Sequence, residues 1–232
     1  MRGVFITFEG PEGSGKTTQA EKVREKLGAL GLDVLHTREP GGTPTGELIR
    51  NILQHDAGGE DIVPECELLL FEASRAQLVR NVIIPALQSG KTVLCDRFVD
   101  STTVYQGVGR GFGVKQVQSV NDFAIGKAIP DLTIVLDLPA CRGLERVSER
   151  SPQGKHAYDR IEREALSFHE QVRQGYLALA AAEPQRCVVI NTERDREVVA
   201  RDVWSIIENR LGDRIRMLAA IAENESLEKN DA

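Results

Sequence analysis

The sequence lacks several features that mark particular classes of protein. It has no apolar run of about 18 residues, so no segment is expected to span a membrane. Its four cysteines, Cys66, Cys95, Cys141 and Cys187, form no C-x-x-C pair, which argues against a zinc site and favours reduced thiols. The net charge of -6 argues against a broad nucleic-acid-binding surface. The first residues have no signal-peptide layout. Together with the charge, the thiols and the lack of a long apolar run, this predicts a cytoplasmic protein without nucleic-acid or membrane partners.

What the sequence does contain is an alternation of strands and helices. Apolar, β-branched runs predict five strands, at 4–8, 32–36, 92–96, 132–138 and 187–191. Helical patterns occur at 16–30, 44–54, 65–89, 114–127, 140–149, 158–183 and 196–211. The alternation predicts an α/β fold, a parallel sheet with helices on both faces, whose ligands bind beyond the carboxyl ends of the strands. We expect one domain over residues 1–212 and a polar tail over 213–232.

The stretch GPEGSGKT, residues 10–17, follows the first predicted strand and begins the first predicted helix. It matches G-x-x-x-x-G-K-[ST], a loop whose backbone N–H groups surround phosphates at a helix N-terminus. Lys16 is expected to reach the outer phosphates and the Thr17 hydroxyl to hold Mg²⁺. A simple strand-to-helix turn is the alternative, and the complete spacing argues against it. The residues predicted to bind ATP are Gly10, Pro11, Glu12, Gly13, Ser14, Gly15, Lys16 and Thr17.

Two missing motifs narrow the classes of nucleotide-binding protein. There is no N-K-x-D motif, which a switch GTPase uses to read its base, and no apolar run that ends in paired acids, as a remodelling ATPase has. The run TVLCDRF ends instead in Asp96 and Arg97. A surface ion pair is one interpretation. We favour function because the pair ends a strand: Asp96 would hold Mg²⁺ through water, and Arg97 would bind a second phosphate with a bidentate fork.

Taken together, the motifs resemble thymidylate kinases of the bacterial type. FxxFEGPEGSGKTTQ, TREPGGTPTGELIRNIL, LLLFEASRAQLV, DRFVDSTTVYQGVGRG and DRIE occur in the family's order and cover most of residues 4–165. The resemblance implies a P-loop NTPase fold with a flexible lid, and a nucleoside monophosphate kinase domain over 1–212. It implies transfer of the γ-phosphate of ATP, with Mg²⁺, to dTMP, giving dTDP for dTTP synthesis. It also implies a homodimer formed through helices around 65–85 and 114–127.

The resemblance implies a role for each residue of the acceptor site. Arg97 and Arg50 would hold the acceptor phosphate, and Glu12 would accept a hydrogen bond from the 3′-hydroxyl. Tyr105 would lie against the sugar and disfavour a 2′-hydroxyl. The predicted substrate-binding residues are Glu12, Arg38, Glu39, Pro40, Arg50, Phe71, Arg75, Arg97, Ser101, Thr102, Tyr105 and Gln106.

The thymine base would be read by a second group of these residues. By resemblance, Phe71 stacks on the base, Arg75 donates to its O4, and Thr102 and Gln106 contact its polar edge. Phe71 and Arg75 are four residues apart and share a helix face. An apolar residue on such a face is usually part of the core, but a buried stripe would not readily admit an arginine, which favours the functional interpretation.

The phosphate loop contains no arginine. The resemblance implies that thymidylate kinases without an arginine in this loop supply the catalytic arginine from the lid. The candidate lid is residues 149–160, ERSPQGKHAYDR, which contains helix breakers between two helical patterns. Counting forward from the preceding helix assigns the catalytic position to Arg150, and counting back from Asp159 assigns it to Lys155. We favour Arg150 because a guanidinium can bridge two phosphates. The predicted catalytic residues are Lys16, Arg97, Arg150 and Lys155.

Two other functions remain open from the sequence. A kinase for another nucleotide or a small metabolite would have the same fold without a thymine pocket. A nucleotide-binding regulator would have no acceptor site and would hydrolyse ATP slowly.

We expect Arg150→Ala to lower kcat far more than it raises KM for either nucleotide, because its charge would act mainly in the transition state. A supplied arginine is worth roughly 10³–10⁵ in turnover in related phosphoryl-transfer enzymes. Arg150→Lys should recover only part of the loss. Steady-state kinetics of Arg150→Ala and Lys155→Ala, measured side by side, check this. A collapse of kcat in Lys155→Ala alone would place the catalytic charge at the other end of the lid.

Overall fold

A computed structural model describes residues 1–55, 60–149 and 159–230 of the chain. Five strands form one sheet in the order β2-β3-β1-β4-β5, and every neighbouring pair is parallel. The strands are β1 (Phe5–Glu9), β2 (Val34–Arg38), β3 (Thr92–Asp96), β4 (Leu132–Asp137) and β5 (Cys187–Asn191). The predicted five-stranded parallel α/β fold is therefore confirmed. β1 and β3 are buried along their whole length, as expected for β-branched, apolar strands covered on both faces.

Helices connect the strands and cover both faces of the sheet. They are α1 (Lys16–Ala29), α2 (Pro44–His55), α3 (Pro64–Leu78), α4 (Ile84–Gln88), α5 (Val99–Thr102), α6 (Val114–Ile125), α7 (Ala140–Glu149), α8 (Leu166–Ala182) and α9 (Arg196–Asn230). Alternate residues of β1 face opposite sides: Ile6 packs with α1 and α9, whereas Phe5 packs against the α3–α4 side. The two hydrophobic layers therefore lie on opposite faces of one sheet.

Two π-helical segments were not expected from the sequence. Val79–Ile83 joins α3 to α4, so the predicted helix at 65–89 is continuous but locally widened. Pro85 follows at once and has no N–H to bond the carbonyl of Asn81, which is a usual cause of such an irregularity. The second segment, Thr103–Gly109, continues α5 and packs against α8. It gives helical structure to residues for which no helix was predicted.

The predicted helix at 158–183 begins later than expected, at Leu166. The carboxylate of Asp159 accepts hydrogen bonds from the N–H groups of Ile161 (2.9 Å) and Glu162 (2.8 Å). Such a local side-chain to backbone contact competes with helix formation and favours a turn. The predicted start was therefore wrong by about two helical turns.

The last helix is longer than the pattern at 196–211 indicates, because α9 continues to Asn230. Its second half packs on the core through Ile215 and Leu218, and Arg214 donates to Asp131 (2.7 Å) and to the carbonyl of Gly3 (3.0 Å). The division into a kinase domain and a tail stays a prediction. Among the described residues, no helix combines the length and apolar character needed to cross a membrane.

We expect Leu218→Ala to lower the free energy of unfolding by about 2–5 kcal/mol, because it leaves a cavity in the core. The neighbouring Met217 is 50% exposed whereas Leu218 is 5% exposed, so Met217→Ala is a matched control. That control should change the free energy by less than about 0.5 kcal/mol. Urea denaturation of both variants checks this, and equal effects would contradict the packing of the second half of α9.

Candidate active site

A cleft of about 940 Å³ opens beyond the carboxyl ends of the strands, where the alternation of strands and helices predicts the ligand site. The phosphate loop forms one wall and the segments after β2 and β3 form another. Of the predicted site residues that the structure describes, the cleft is lined by Glu12, Gly13, Ser14, Gly15, Lys16, Thr17, Arg38, Glu39, Pro40, Arg50, Phe71, Asp96, Arg97, Ser101, Thr102, Tyr105 and Gln106. Gly10, Pro11 and Arg75 are not among the residues that line the cleft.

The phosphate loop has the backbone that its sequence predicts. Gly13 has a φ of +68°, and a Cβ there would overlap the backbone of Gly143 in α7, so only glycine fits. α1 starts at Lys16, which directs its first N–H groups toward the cleft. The Lys16 ammonium donates to the carbonyls of Gly10 (3.1 Å) and Pro11 (2.9 Å). The side chain of Lys16 thus bonds the first two residues of its own loop.

Burial and, after it, the positive charge of Arg97 lower the pKa of Lys16 to about 8. The carboxylates of Glu12, Asp96 and Glu9 act in the opposite direction but do not compensate. A polyphosphate in the loop would add negative charge next to the ammonium and would therefore favour its protonated form.

Thr17 and Asp96, the two predicted metal ligands, are neighbours in the structure. The Thr17 hydroxyl donates a hydrogen bond to a carboxylate oxygen of Asp96. A hydroxyl and a carboxylate are hard oxygen donors, and Mg²⁺ is usually bound by one or two such groups together with water and substrate phosphates. The pair therefore fits Mg²⁺.

Arg97 occupies a backbone conformation that is rare for a residue with a side chain, with a φ of +67°. Its guanidinium donates to Glu12 in the phosphate loop (2.5 Å) and to the carbonyl of Gly10 (3.2 Å), and lies 5.2 Å from the centre of the Tyr105 ring. The turn after β3 thus places this cation against the phosphate loop, as the predicted role requires.

The carboxyl group of Glu12 stays ionised in this setting. Burial alone would raise its pKa, but the charges of Arg97 and Lys16 and a hydrogen bond from Tyr105 (2.9 Å) lower it to about 2. Tyr105 is 4% exposed and its ring packs edge-on against Phe168 and Tyr176. Glu12, Arg97 and Tyr105 therefore form one fixed group beside the loop.

Glu9, at the end of β1, was not identified from the sequence. Its carboxylate accepts hydrogen bonds from the N–H groups of Phe98 (2.7 Å) and Ser101 (3.2 Å) and from the hydroxyls of Ser101 (2.7 Å) and Tyr176 (2.9 Å). Complete burial and the nearby charge of Asp100 raise its pKa to about 7. The acid therefore braces the turn that carries Arg97. The only sequence signal was the Glu in FEG ahead of the loop.

Three of the four predicted base-reading residues, Phe71, Thr102 and Gln106, line the cleft. Phe71 is half-buried on α3. The Thr102 hydroxyl is buried and has no hydrogen-bond partner among the described residues. Gln106 is 2% exposed, and its amide nitrogen donates to Glu67 (2.7 Å). The structure thus brings an aromatic ring and two polar groups together.

Arg75 differs from the expectation that it faces a base. It is 1% exposed, and its three guanidinium nitrogens donate to Glu39 (2.8 Å from Nε), Glu72, Asn121 (3.1 Å) and the carbonyl of Phe98 (3.1 Å). The charges of Glu39 and Glu72 raise its pKa against the effect of burial. A contact with thymine O4 would require the guanidinium to exchange one of these partners. That role stays a prediction.

The last residue of β2, Arg38, and a residue of α2, Arg50, supply two further arginines to the cleft. Arg38 forms a bidentate pair with Glu47 (2.7 and 2.9 Å), and Arg50 donates to the carbonyl of Pro40 (3.0 Å). Burial and the charge of Arg38 lower the pKa of Arg50. The Glu39-Pro40 peptide bond is cis. Arginine side chains therefore line the part of the cleft that is predicted to bind the acceptor, although the chain carries a net charge of -6.

The opposite end of the cleft contains residues to which the sequence analysis gave no role. Arg146 on α7 donates to the carbonyls of Gly13 (3.4 Å) and Thr192 (3.2 Å). Arg194 and Arg196 follow β5 and also line this end. The signal that could have found Arg194 is the position of NTERD at the end of the last strand.

Arg150 and Lys155, the two candidates for the lid cation, lie outside the described residues. The structure describes the residues on either side, Glu149 at the end of α7 and Asp159, and both line the cleft. Asp159 also accepts a hydrogen bond from Gln54 (3.3 Å).

Comparisons with known proteins agree with this geometry. The family model described as thymidylate kinase matches residues 8–203. The thymidylate kinase of Pelotomaculum thermopropionicum is 50% identical over 208 residues, which are 90% of this chain and 94% of that protein. The thymidylate kinase of Deinococcus radiodurans is 45% identical over 90% of this chain and 98% of its own length. The crystal structure of thymidylate kinase from Ehrlichia chaffeensis superposes with a TM-score of 0.71 at 34% identity, covering 90% of this chain and 99% of that one.

We expect the titration of Glu9 to make stability depend on pH. Because its pKa rises from 4.5 to about 7 on folding, its stabilising contribution is complete below about pH 4.5 and is lost as the pH rises through 7. The unfolding free energy of the parent minus that of Glu9→Gln should therefore fall with increasing pH, by at most about 1.4 kcal/mol per pH unit. Urea denaturation at several pH values measures this. Glu25→Gln, at an exposed position on α1, is the control whose curve should stay parallel to the parent's. A parallel curve for Glu9→Gln would contradict the prediction.

Proposed function

Since the chain belongs to the thymidylate kinase family, it phosphorylates dTMP to dTDP with ATP, and we propose that the cleft performs this reaction with the residues described above. The observation that carries the proposal is the position of Arg97. Its guanidinium contacts Glu12 of the phosphate loop while the residues that follow it line the acceptor end. A phosphate bound to Arg97 would therefore lie next to the end of a nucleotide bound in the loop.

The donor nucleotide would bind with its phosphates in the loop. The N–H groups at the start of α1 and the Lys16 ammonium would contact the outer phosphates, and Lys16 would exchange its contacts with the Gly10 and Pro11 carbonyls for phosphate oxygens. Thr17 and Asp96 would hold Mg²⁺, which supplies charge neutralisation to the transferring phosphate when bound. The rest of this nucleotide would lie at the end of the cleft lined by Arg146, Thr192 and Arg194.

The acceptor phosphate would be held by arginine. Arg97 presents a guanidinium that is half-buried and always charged, and Arg50 also lines the cleft. Glu12, ionised and held by Arg97 and Tyr105, is an acceptor suited to a sugar hydroxyl. Because these groups are fixed before substrate binds, little reorganisation is needed when the phosphates meet.

The base would bind between Phe71 and the segment at 101–106. Phe71 offers a stacking face, and the unpartnered Thr102 hydroxyl and the Gln106 amide offer polar contacts to its edge. Burying an unpaired hydroxyl costs free energy, so a ligand that bonds Thr102 would gain by satisfying it. Tyr105 would lie against the sugar.

Two further properties of this chain are proposals. A homodimer formed through the α3 and α6 region is supported by apolar residues that are exposed there, Leu69 at 61% and Phe123 at 83%. A cytoplasmic location is supported by the four free cysteines. The lid cation at Arg150 or Lys155 also belongs to the proposal, on sequence grounds alone.

ADP release, measured with dTMP, dUMP, dCMP, dGMP and the ribose form of TMP as acceptors, tests the proposal. We expect dTMP to give the highest kcat/KM. Release that does not depend on any acceptor would favour a regulator that hydrolyses ATP slowly. A preference for another nucleotide would favour a kinase of different specificity.

The same assay tests the sugar contact. The buried Tyr105 ring would leave a 2′-hydroxyl without a partner or in a clash, so the parent should prefer the deoxy acceptor. Tyr105→Ala should narrow that preference, whereas Tyr105→Phe keeps the ring and should retain it. An unchanged deoxy-to-ribo ratio in Tyr105→Ala would refute the assignment.

A further inference from the structure

Glu67, in the first turn of α3, is a buried acid to which neither the motifs nor the proposed reaction gives a role. Its side chain is completely buried. One carboxylate oxygen accepts hydrogen bonds from the Gln106 amide nitrogen (2.7 Å) and from Nε of Arg110 (3.1 Å). The other accepts from Nη2 of Arg110 (3.1 Å) and from Arg160. Three segments that are distant in the sequence therefore meet at this group.

The carboxyl group of Glu67 is ionised. Burial would raise its pKa, but hydrogen bonds from Arg110 and Gln106, together with the charges of Arg110 and Arg160, bring it below its ordinary value. Its place in the first turn of a helix acts in the same direction, because the helix N-terminus favours negative charge.

An ionised carboxylate can only accept hydrogen bonds, and this fixes the orientation of the amide that it touches. Gln106 must direct its NH₂ group at Glu67, so its carbonyl oxygen points away from that acid. Gln106 lines the cleft beside Phe71 and Thr102, and its carbonyl oxygen accepts no hydrogen bond from the residues that the structure describes. The oxygen is thus the atom of this amide left to accept from a ligand.

We propose that Glu67 is a positioning residue for base recognition: its carboxylate sets the Gln106 amide so that the oxygen accepts a hydrogen bond from the base. This inference rests on the proposed function, in which Gln106 contacts the edge of the base. Thymine and uracil carry an N3–H donor that pairs with this oxygen. Cytosine has an acceptor at N3, and two acceptors facing each other repel.

The surroundings of Glu67 prevent it from following a reoriented amide. Arg110 also contacts Glu164 (2.6 Å) and lies 4.8 Å from the centre of the Phe168 ring. Arg160 also donates to the carbonyl of Leu53 (3.2 Å). The two arginines therefore hold both oxygens of the carboxylate by contacts that do not depend on Gln106.

The test compares acceptors in Glu67→Gln, in which a neutral amide replaces the carboxylate and can donate to Gln106. The Gln106 amide can then turn over and present its NH₂ group to the base. We expect the preference for dTMP over dCMP, as the ratio of kcat/KM, to fall roughly five- to hundredfold, the range of a lost or mismatched hydrogen bond. The preference for dTMP over dUMP should not change, because both bases present N3–H. KM for ATP should also stay the same.

Glu208→Gln, the same substitution at an exposed position on α9, is the control and should leave all ratios unchanged. A purely structural role for Glu67 would lower the unfolding temperature and all acceptor activities together, with the dTMP-to-dCMP ratio intact, and that result would overturn the inference. Gln106→Ala distinguishes a failure of the proposed base contact from a failure of the role of Glu67. If it leaves the ratio intact, the base contact of the proposed function is wrong. If it lowers the ratio while Glu67→Gln does not, only the role of Glu67 is wrong.

Glu67→Asp provides a second test should Glu67→Gln not fold. The shorter acid keeps its charge but is withdrawn by one methylene from the Gln106 amide and from the two arginines alike. The ratio of dTMP to dCMP should therefore fall, because the Gln106 amide is no longer held in one orientation, and the unfolding temperature should fall as well. A folded Glu67→Asp enzyme with the parent's ratio would overturn the inference.

Discussion

β1 and β3 pair in parallel with Phe8 opposite Asp96, so the phosphate loop and the turn carrying Arg97 leave the sheet at the same height. The N–H of Arg97 donates to the carbonyl of Phe8 (2.9 Å), which extends the pairing beyond the end of β3. Because of this register, Thr17 meets Asp96 and the Arg97 guanidinium meets Glu12. A shift by one residue would reverse the faces of β3 and separate both pairs.

The cations of the cleft have hydrogen-bond partners within the protein itself. Lys16 donates to loop carbonyls, and Arg97 donates to Glu12 and Gly10, so neither cation is left buried without a partner. The buried acids have separate tasks: Glu9 braces the turn after β3, and Glu12 holds Arg97 from the loop side. Positive and negative side chains are thus held in fixed positions. Phosphoryl transfer requires such an arrangement, because its catalysis consists mainly of aligning the reacting groups and neutralising their charge.

Local patterns in the sequence predicted those features of the fold and of the site that are formed by residues close together in the chain. The five strands, the phosphate loop and the Asp96–Arg97 pair could be found because apolar runs and motif spacing are local, and family resemblance added the acceptor residues. Glu9 could not be found, since its partners Phe98, Ser101 and Tyr176 are far along the chain. The burial of Arg75 escaped for the same reason: helix periodicity shows which face it shares with Phe71, but not that Glu39 and Asn121 meet it there. Long-range contacts of this kind have no signature in the spacing of residues.

The contact between Glu9 and Tyr176 joins residues that are 167 positions apart. During synthesis, β1 leaves the ribosome first, yet its final acid has no tyrosine partner until α8 has been made. The hydrogen bonds of Glu9 next to the turn with Arg97 are complete only at that stage. α9, which covers the face of the sheet on which Ile6 lies, is made later still. A chain arrested before α8 would therefore lack the Tyr176 hydroxyl that donates to Glu9. The hydrogen bonding of this buried acid is in this respect completed late in the biogenesis of the protein, after most of the chain has been made.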